Sequence, residues 1–185
     1  MLAADPTVDL WAMDEVHFHQ HGSRCRMWVP PEIKDPVCVH APTRKSISYF
    51  GAVRLRDGKL CTLPPSGRFD AQTCWTFFRR LRRISARSGR RVVVIIDNAK
   101  YHHAVLHAAW RKAHEPDFTL LFLPPYSPQL NPIERVWKLL RRLWIHNRFF
   151  SSLDELTIIV NAQFRIWTHP NPVLRRLCSI VKHAQ

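Results

Sequence analysis

The sequence predicts an α/β fold, a mixed sheet covered by helices. Three observations predict it. Val92-Val93-Val94-Ile95-Ile96 is an unbroken β-branched run, the pattern of a strand covered on both faces. Two stretches, 70–88 and 131–146, carry apolar residues three and four apart, the spacing of a helical stripe. The elements come strands first, then helix, strand, helix, strand, helix, an order that belongs to a layered α/β architecture.

Val8–Met13 reads as a short strand ending on Asp14-Glu15, and Arg24–Val29 as a second, stopped by Pro30-Pro31. Pro30–Lys45 reads as a loop. Ser46–Leu55 and Lys59–Leu63 flank Asp57-Gly58, a hairpin turn signal. Pro64-Pro65-Ser66-Gly67 then breaks the chain. Asp70–Ser88 reads as a helix with Asp70 as N-cap and Gly89 as stop. Its stripe is Cys74, Phe77, Phe78, Leu81 and Ile84, and Arg79, Arg80, Arg82, Arg83 and Arg87 lie mostly off it, as a solvated face or a phosphate-contacting one. Arg91–Ile96 ends on Asp97-Asn98. His103–His114 reads as a helix closed by Pro116, and Phe118–Leu123 as a strand stopped by Pro124-Pro125. Asn131–His146 is the next helix, striped by Ile133, Val136, Trp137, Leu140, Leu143 and Trp144. Ser152-Leu153-Asp154-Glu155 is a capping box opening a helix to about Trp167, and Pro170 and Pro172 loosen the tail.

The chain has 185 residues, 46% of them apolar, which suits one globular domain over 1–185, with a core over about 8–167 and a tail over 168–185. Its 28 Lys+Arg against 14 Asp+Glu give a net charge of +14. Such an excess favours a polyanionic partner, nucleic acid before an anionic membrane surface. Five cysteines with no C-x-x-C pair argue against a disulfide scaffold or a cysteine zinc site and for a reducing compartment. Met1–Leu10 carries Asp5 and Asp9 and no basic start, so it is not a signal peptide. No apolar run is long enough to span a membrane.

In a chain this poor in acids, their positions carry information. Asp14 ends one predicted strand, Asp97 ends the buried central strand, and Glu134 lies in the first turn of a helix after a strand. Ligands of open α/β sheets gather beyond the carboxyl ends of strands. Three converging carboxylates repel one another, and a divalent cation removes that cost. Hard oxygen donors without cysteine favour Mg²⁺ or Mn²⁺ over Zn²⁺. Two such ions can clamp the attacking and leaving oxygens of a phosphodiester. On spacing alone other roles stay open: Asp14 in a turn, Asp97-Asn98 as a cap, Glu134 paired with Lys138.

Leu123-Pro124-Pro125-Tyr126-Ser127-Pro128-Gln129-Leu130-Asn131-Pro132-Ile133-Glu134 is a rigid strand-to-helix connector. Asn131 reads as N-cap and Pro132 as N1, which puts Glu134 near the positive helix end. This stretch resembles the third-acid motif of the mariner-type transposases of bacterial insertion sequences. Asp97-Asn98-Ala99-Lys100-Tyr101-His102 is similar to that family's second-acid motif, and Met13-Asp14-Glu15-Val16-His17-Phe18 to its first. The interval of 37 residues between Asp97 and Glu134 matches the family's short gap. The resemblance covers about residues 8–167.

The resemblance implies a ribonuclease-H-like fold, a mixed five-stranded sheet flanked by helices. It implies a metal-dependent DNA endonuclease and strand-transfer domain that cuts transposon ends and joins the 3′-OH to target DNA. Asp14, Asp97 and Glu134 would bind two Mg²⁺ (or Mn²⁺), Asp14 touching both and the other acids one each. Asn98, His102, Tyr126, Asn131 and Arg135 are motif positions carried over as substrate or supporting residues. Lys138, Arg141, Arg142, Arg79 and Arg83 are candidates for double-stranded DNA. His17, His19 and His21 alternate and would share a face if extended. They suggest zinc less than exposed loop histidines. Family members carry N-terminal helix-turn-helix domains, and only 13 residues precede Asp14. That region is therefore expected to be absent, the chain being one half of a split reading frame or a degraded remnant, and the protein is expected to act as a homodimer or with a companion chain carrying the end-binding domain. The implied location is the bacterial cytoplasm, at the nucleoid, with no membrane partner. Two rival readings are an inactive remnant that binds DNA or intact transposase, and a ribonuclease-H-like nuclease acting on RNA hybrids or branched DNA.

Overall fold

The computed structural model describes residues 5–26, 28–33, 41–64 and 67–180. Five strands form one sheet: β1 (Val8–His19), β2 (Ser46–Arg54), β3 (Leu60–Leu63), β4 (Arg91–Ile96) and β5 (Phe118–Phe122). Their order is β3-β2-β1-β4-β5. The first three pair antiparallel, and β4 and β5 continue parallel from β1, so the sheet is mixed, as the order of elements predicts. Helix α1 (Ala71–Ala86) covers one face. Helices α3 (Ile133–Trp144) and α4 (Leu153–Trp167) cover the other, and the short α2 (Ala108–Ala113) and α5 (Pro172–Leu177) complete the shell.

The two faces follow from strand alternation. Trp11 and Met13 of β1 point to a core with Cys74, Phe77, Phe78 and Leu81 of α1. Leu10, Ala12, Val16 and Phe18 point the other way, to Ile133, Val136, Trp137 and Leu140 of α3 and Phe164 of α4. Phe77, Phe78 and Leu81 are fully buried, each worth about 1.5–3 kcal/mol relative to exposure. Val92, Val93, Val94 and Ile96 of β4 are all buried, as a central strand requires.

Asp70 caps α1 as predicted, its carboxylate accepting from Thr73 N at 2.9 Å, and Gly89 takes the left-handed φ of +66° beyond the helix end. Five expectations are corrected. β1 does not stop at Asp14 but runs on to His19, because Val16 and Phe18 alternate inward with exposed His17 and His19. Among its described residues the 24–29 segment forms no strand. It turns off at Gly22 (φ +66°) and lies against Asn147, which bonds Cys25 from both ends of its amide. The helix predicted over His103–His114 is broken into tight turns at Lys100–His103 and Val105–His107 before α2, because His102 and His107 turn inward and are fully buried. The tail is not loose. Asn171 caps α5 by accepting from Val173 N and Leu174 N, each at 3.0 Å, and Leu174 and Cys178 join the core. Along α3, Leu143 and Trp144 are exposed rather than part of the buried stripe.

Candidate active site

Asp14 lies on β1 opposite Gly51 of β2. β1 and β4 run parallel with Ala12 beside Ile95, so two residues further along, Asp14 and Asp97 are neighbours at the carboxyl end of β4. Glu134 comes from the first turn of α3. The three acids line one cavity of about 490 Å³ together with Asn98, Tyr126 and Asn131.

The connector from β5 to α3 closes that cavity. Tyr126 takes a left-handed φ of +56° and its side chain is 100% exposed at the rim. Asn98 donates from its amide to the Leu123 carbonyl, which ties the start of the connector to the residue after Asp97. Asn131 is not an N-cap, contrary to the sequence reading, since α3 has no side-chain cap. Its amide instead donates to the Met13 carbonyl at 2.8 Å. That bond fixes the end of the connector to β1 beside Asp14. Asn131 Oδ1 is buried without a hydrogen-bond partner, an acceptor left over beside the three acids.

In a chain of net charge +14, acids normally find cations. Buried Asp9 does so, pairing with Arg54 at 3.0 Å and Arg56 at 3.4 Å. Among the described residues no lysine or arginine pairs with Asp14, Asp97 or Glu134. Burial, then the charges of Glu15, Glu134 and Asp97, push the Asp14 carboxyl up to about 8. A carboxyl so raised marks a place where negative charge awaits a counter-ion.

Asp97 is treated differently. His102, fully buried, sets Nδ1 2.9 Å from Asp97 Oδ1 and Nε2 3.2 Å from Glu15 Oε1. The His102 bond holds the Asp97 carboxyl below its ordinary value. Burial opposes charge on the imidazole, but its bonds to Asp97, Cys74 and Glu15 outweigh burial and raise it to about 11. Glu15 is the residue that motif reading passed over as a site residue. It follows Asp14, so alternation sends it to the opposite face of β1, where it meets an imidazole 87 positions away. Ligand-type atoms of Glu15, Asp97 and His102 lie within 4.8 Å of one another, a proximity that the bridging imidazole accounts for.

The three acids offer carboxylate oxygens to the cavity. This set suits a hard divalent cation and offers nothing to a soft one.

Other candidates sort by position. Arg135 is corrected: its guanidinium donates to the carbonyls of Leu177 and Ser179 at 3.0 and 3.3 Å, so it ties the tail to α3. Lys138 and Arg142 are exposed on α3. Arg141 lies over the Phe18 ring at 5.5 Å and lines a second cavity with Glu134, His17 and His19. Arg79 and Arg83 are exposed on α1, across the sheet from the α3 group. The five basic residues therefore form two groups rather than one patch. His17 and His19 are exposed on β1 rather than in a loop. His17 Nδ1 lies 2.7 Å from Ser48 Oγ and His19 stacks on His21 with centroids 5.1 Å apart, so the three do not converge as a zinc site would.

A ribonuclease-H-like sheet with three acids at its carboxyl edge defines the class. The chain belongs to the DDE endonuclease superfamily: residues 9–157 match the family described as DDE superfamily endonuclease. Over 73 residues it is 41% identical to the uncharacterized protein y4pE/y4sA of Sinorhizobium fredii, covering 39% of this chain and 50% of that protein. Over 108 residues it is 29% identical to the insertion element IS630 uncharacterized 39 kDa protein of Shigella sonnei, covering 57% of this chain and 30% of that protein. The matches thus span half or less of the length of these relatives. Among solved structures the fold is similar to the Mos1 transposase paired-end complex with left transposon end, at TM-score 0.66 and 18% identity over 95% of this chain and 52% of that one. It is also similar to the catalytic domain of Mos1 mariner transposase, at TM-score 0.58 and 17% identity over 92% and 75%. These likenesses agree with the resemblance carried by the three motifs. No helix among the described residues is long and apolar enough to cross a membrane.

Proposed function

We propose that this chain is the catalytic domain of a transposase that cuts DNA at transposon ends and joins the freed 3′-OH to target DNA. Asp14, Asp97 and Glu134 are its catalytic and metal-holding residues, with Mg²⁺ or Mn²⁺ in two positions. The observation that carries this reading is that three carboxylates, from β1, the end of β4 and α3, line one cavity, with no lysine or arginine partner among the described residues, in a strongly basic chain. Mos1 structures of the same fold contain Mn or Mg, which supports the choice of metal.

Bound divalent ions supply charge neutralisation at the phosphate and polarise the attacking oxygen. The residues of the chain do the rest by position. The Asp14 carboxylate would hold the metal together with Asp97 and Glu134. Asn98 and Asn131 hold the connector, so that Glu134 stays at the cavity lip. Lys138, Arg141 and Arg142 on α3 attract the backbone of double-stranded DNA, a sequence-independent contribution that weakens with salt. The assembly works as a homodimer or with a companion chain that carries an end-binding domain, at the bacterial nucleoid.

The test is cleavage of labelled duplex DNA carrying a transposon end, in Mn²⁺, by the wild type and Asp97→Asn, with gel-shift binding in parallel. The expected result is cleavage by the wild type only and equal binding by both. Equal cleavage by Asp97→Asn means that the acids are misassigned. Binding without cleavage by the wild type favours an inactive DNA-binding remnant.

A further inference from the structure

We propose that Glu15 and His102 are positioning residues for Asp97, with Glu15 acting only through His102. The inference rests on the reading of Asp97 as a metal-holding carboxylate.

The geometry is a closed chain of contacts between the two faces of the sheet. Asp14 and Glu15 are consecutive on β1 and therefore point to opposite faces. Asp14 enters the cavity, and Glu15 enters the layer under α1. There its Oε1 lies 3.2 Å from His102 Nε2, while His102 Nδ1 lies 2.9 Å from Asp97 Oδ1. The imidazole is 0% exposed and wedged against Tyr101, with ring centroids 4.5 Å apart. It has no freedom to turn.

The imidazole thus bridges Glu15 and Asp97: its Nδ1 lies 2.9 Å from Asp97 Oδ1 and 3.2 Å from the Asp97 carbonyl oxygen, and its Nε2 faces Glu15. At Asp97, the Ala99 amide at 3.1 Å and His102 both reach Oδ1, and none of the described residues reaches Oδ2. One oxygen is anchored and the other is left for a ligand. Asp97 lies just beyond the last strand residue, where its own backbone has stopped pairing in the sheet, so the carboxylate depends on this outside hold. Partners that orient metal-binding carboxylates and imidazoles in this way commonly change metal affinity by about 10–100-fold when removed.

The test is calorimetric titration with Mn²⁺ of the wild type, Asp97→Asn, Glu15→Ala, Glu15→Gln, His102→Ala and the Glu15→Ala/His102→Ala double variant. Melting temperatures in chelator and salt-matched DNA binding are measured on each. The expected result is Mn²⁺ affinity about 10-fold or more weaker in Glu15→Ala and in His102→Ala, and no further loss in the double variant. Glu15→Gln, which keeps the shape and an acceptor oxygen for Nε2–H, should stay within about 3-fold of the wild type. DNA binding should not move in any of them.

A lower melting temperature with unchanged Mn²⁺ affinity in both single variants and Glu15→Gln would show that the cluster only supports packing, and would overturn the proposal. Additive losses in the double variant would also overturn it, because Glu15 would then touch the metal directly. If the wild type binds no Mn²⁺, or Asp97→Asn binds as tightly as it does, the reading of Asp97 itself fails and the relay with it. Loss in Asp97→Asn with no loss in Glu15→Ala sinks the relay alone.

Discussion

The ring of Trp137 fills the place where a side chain at Gly51 would stand. A Cβ on Gly51 would lie 2.3 Å from the Trp137 Cη2 and 2.6 Å from Cζ2. Gly51 is the residue opposite Asp14 in the β1–β2 ladder, and Trp137 is one turn along α3 from Glu134. The missing side chain lets α3 settle close to the sheet, and this close approach helps bring Glu134 into the cavity of Asp14.

Gly51→Ala should therefore destabilise the fold. Trp137 is 1% exposed and has no room to retreat, and overpacking of this kind costs about 1–3 kcal/mol. Denaturant unfolding measures it. The variant should also bind Mn²⁺ more weakly, because α3 must lift. Wild-type stability together with wild-type affinity would mean that the helix position does not matter to the site.

The pH dependence has a definite sign. Asp14 is raised from its ordinary value of 3.8 to about 8, so between those values the metal-free folded state holds a proton that the unfolded chain has lost. Stability from this group falls as pH rises through that window. Melting in chelator should decline from about pH 4 to about pH 8, and Asp14→Asn should flatten the decline. Mn²⁺ must displace the proton, so titrations near pH 6.5 in buffers of different ionisation enthalpy should reveal about one proton released per wild-type site. No release would contradict a protonated Asp14.

Asn131 gives a third expectation. Asn131→Ala removes the donor to the Met13 carbonyl and leaves that acceptor buried, a loss of about 1–3 kcal/mol. The connector then loses its tie to β1. Thermal unfolding should show the loss, and Asn131→Asp, with no amide to donate, should not restore it. Full rescue by aspartate would mean that the bond to Met13 is unimportant.

DNA binding by Lys138 and Arg142 should be electrostatic. Each phosphate contact removed should flatten the plot of log affinity against log salt by about one unit. Fluorescence anisotropy of Lys138→Ala and Arg142→Ala over a salt series would measure this. An unchanged slope in both would move the DNA to another face, with Arg79 and Arg83 of α1 the next to test.

Much of this architecture is legible in the sequence because it is local. The β-branched run of β4, the stripe of α1 and its Asp70 cap each depend on neighbours within a few residues. The three acids are legible because each carries its own motif, Asp97 and Glu134 at element ends and Asp14 inside β1. What escaped is non-local. Asn131 has the sequence of an N-cap, but a buried carbonyl on β1 competes for its amide and wins. Glu15 looks like the companion of Asp14, and only the fold brings it, on the opposite face of β1, to the imidazole that also contacts Asp97. The 103–114 helix fails for the same reason: His102 and His107 gain buried partners only in the folded chain, at the expense of regular helix. An acid inside a strand reads as a boundary, so Asp14 hides the second half of β1, although the alternation from Val16 to His19 continues the pattern.

The most direct measurement is calorimetric titration of the purified chain with Mn²⁺, beside Asp97→Asn. It tests the three-acid site without DNA. Binding by the wild type that is lost in Asp97→Asn is the result this account requires. Equal binding by both, or none by either, would contradict it and leave a fold that holds three acids together without using them.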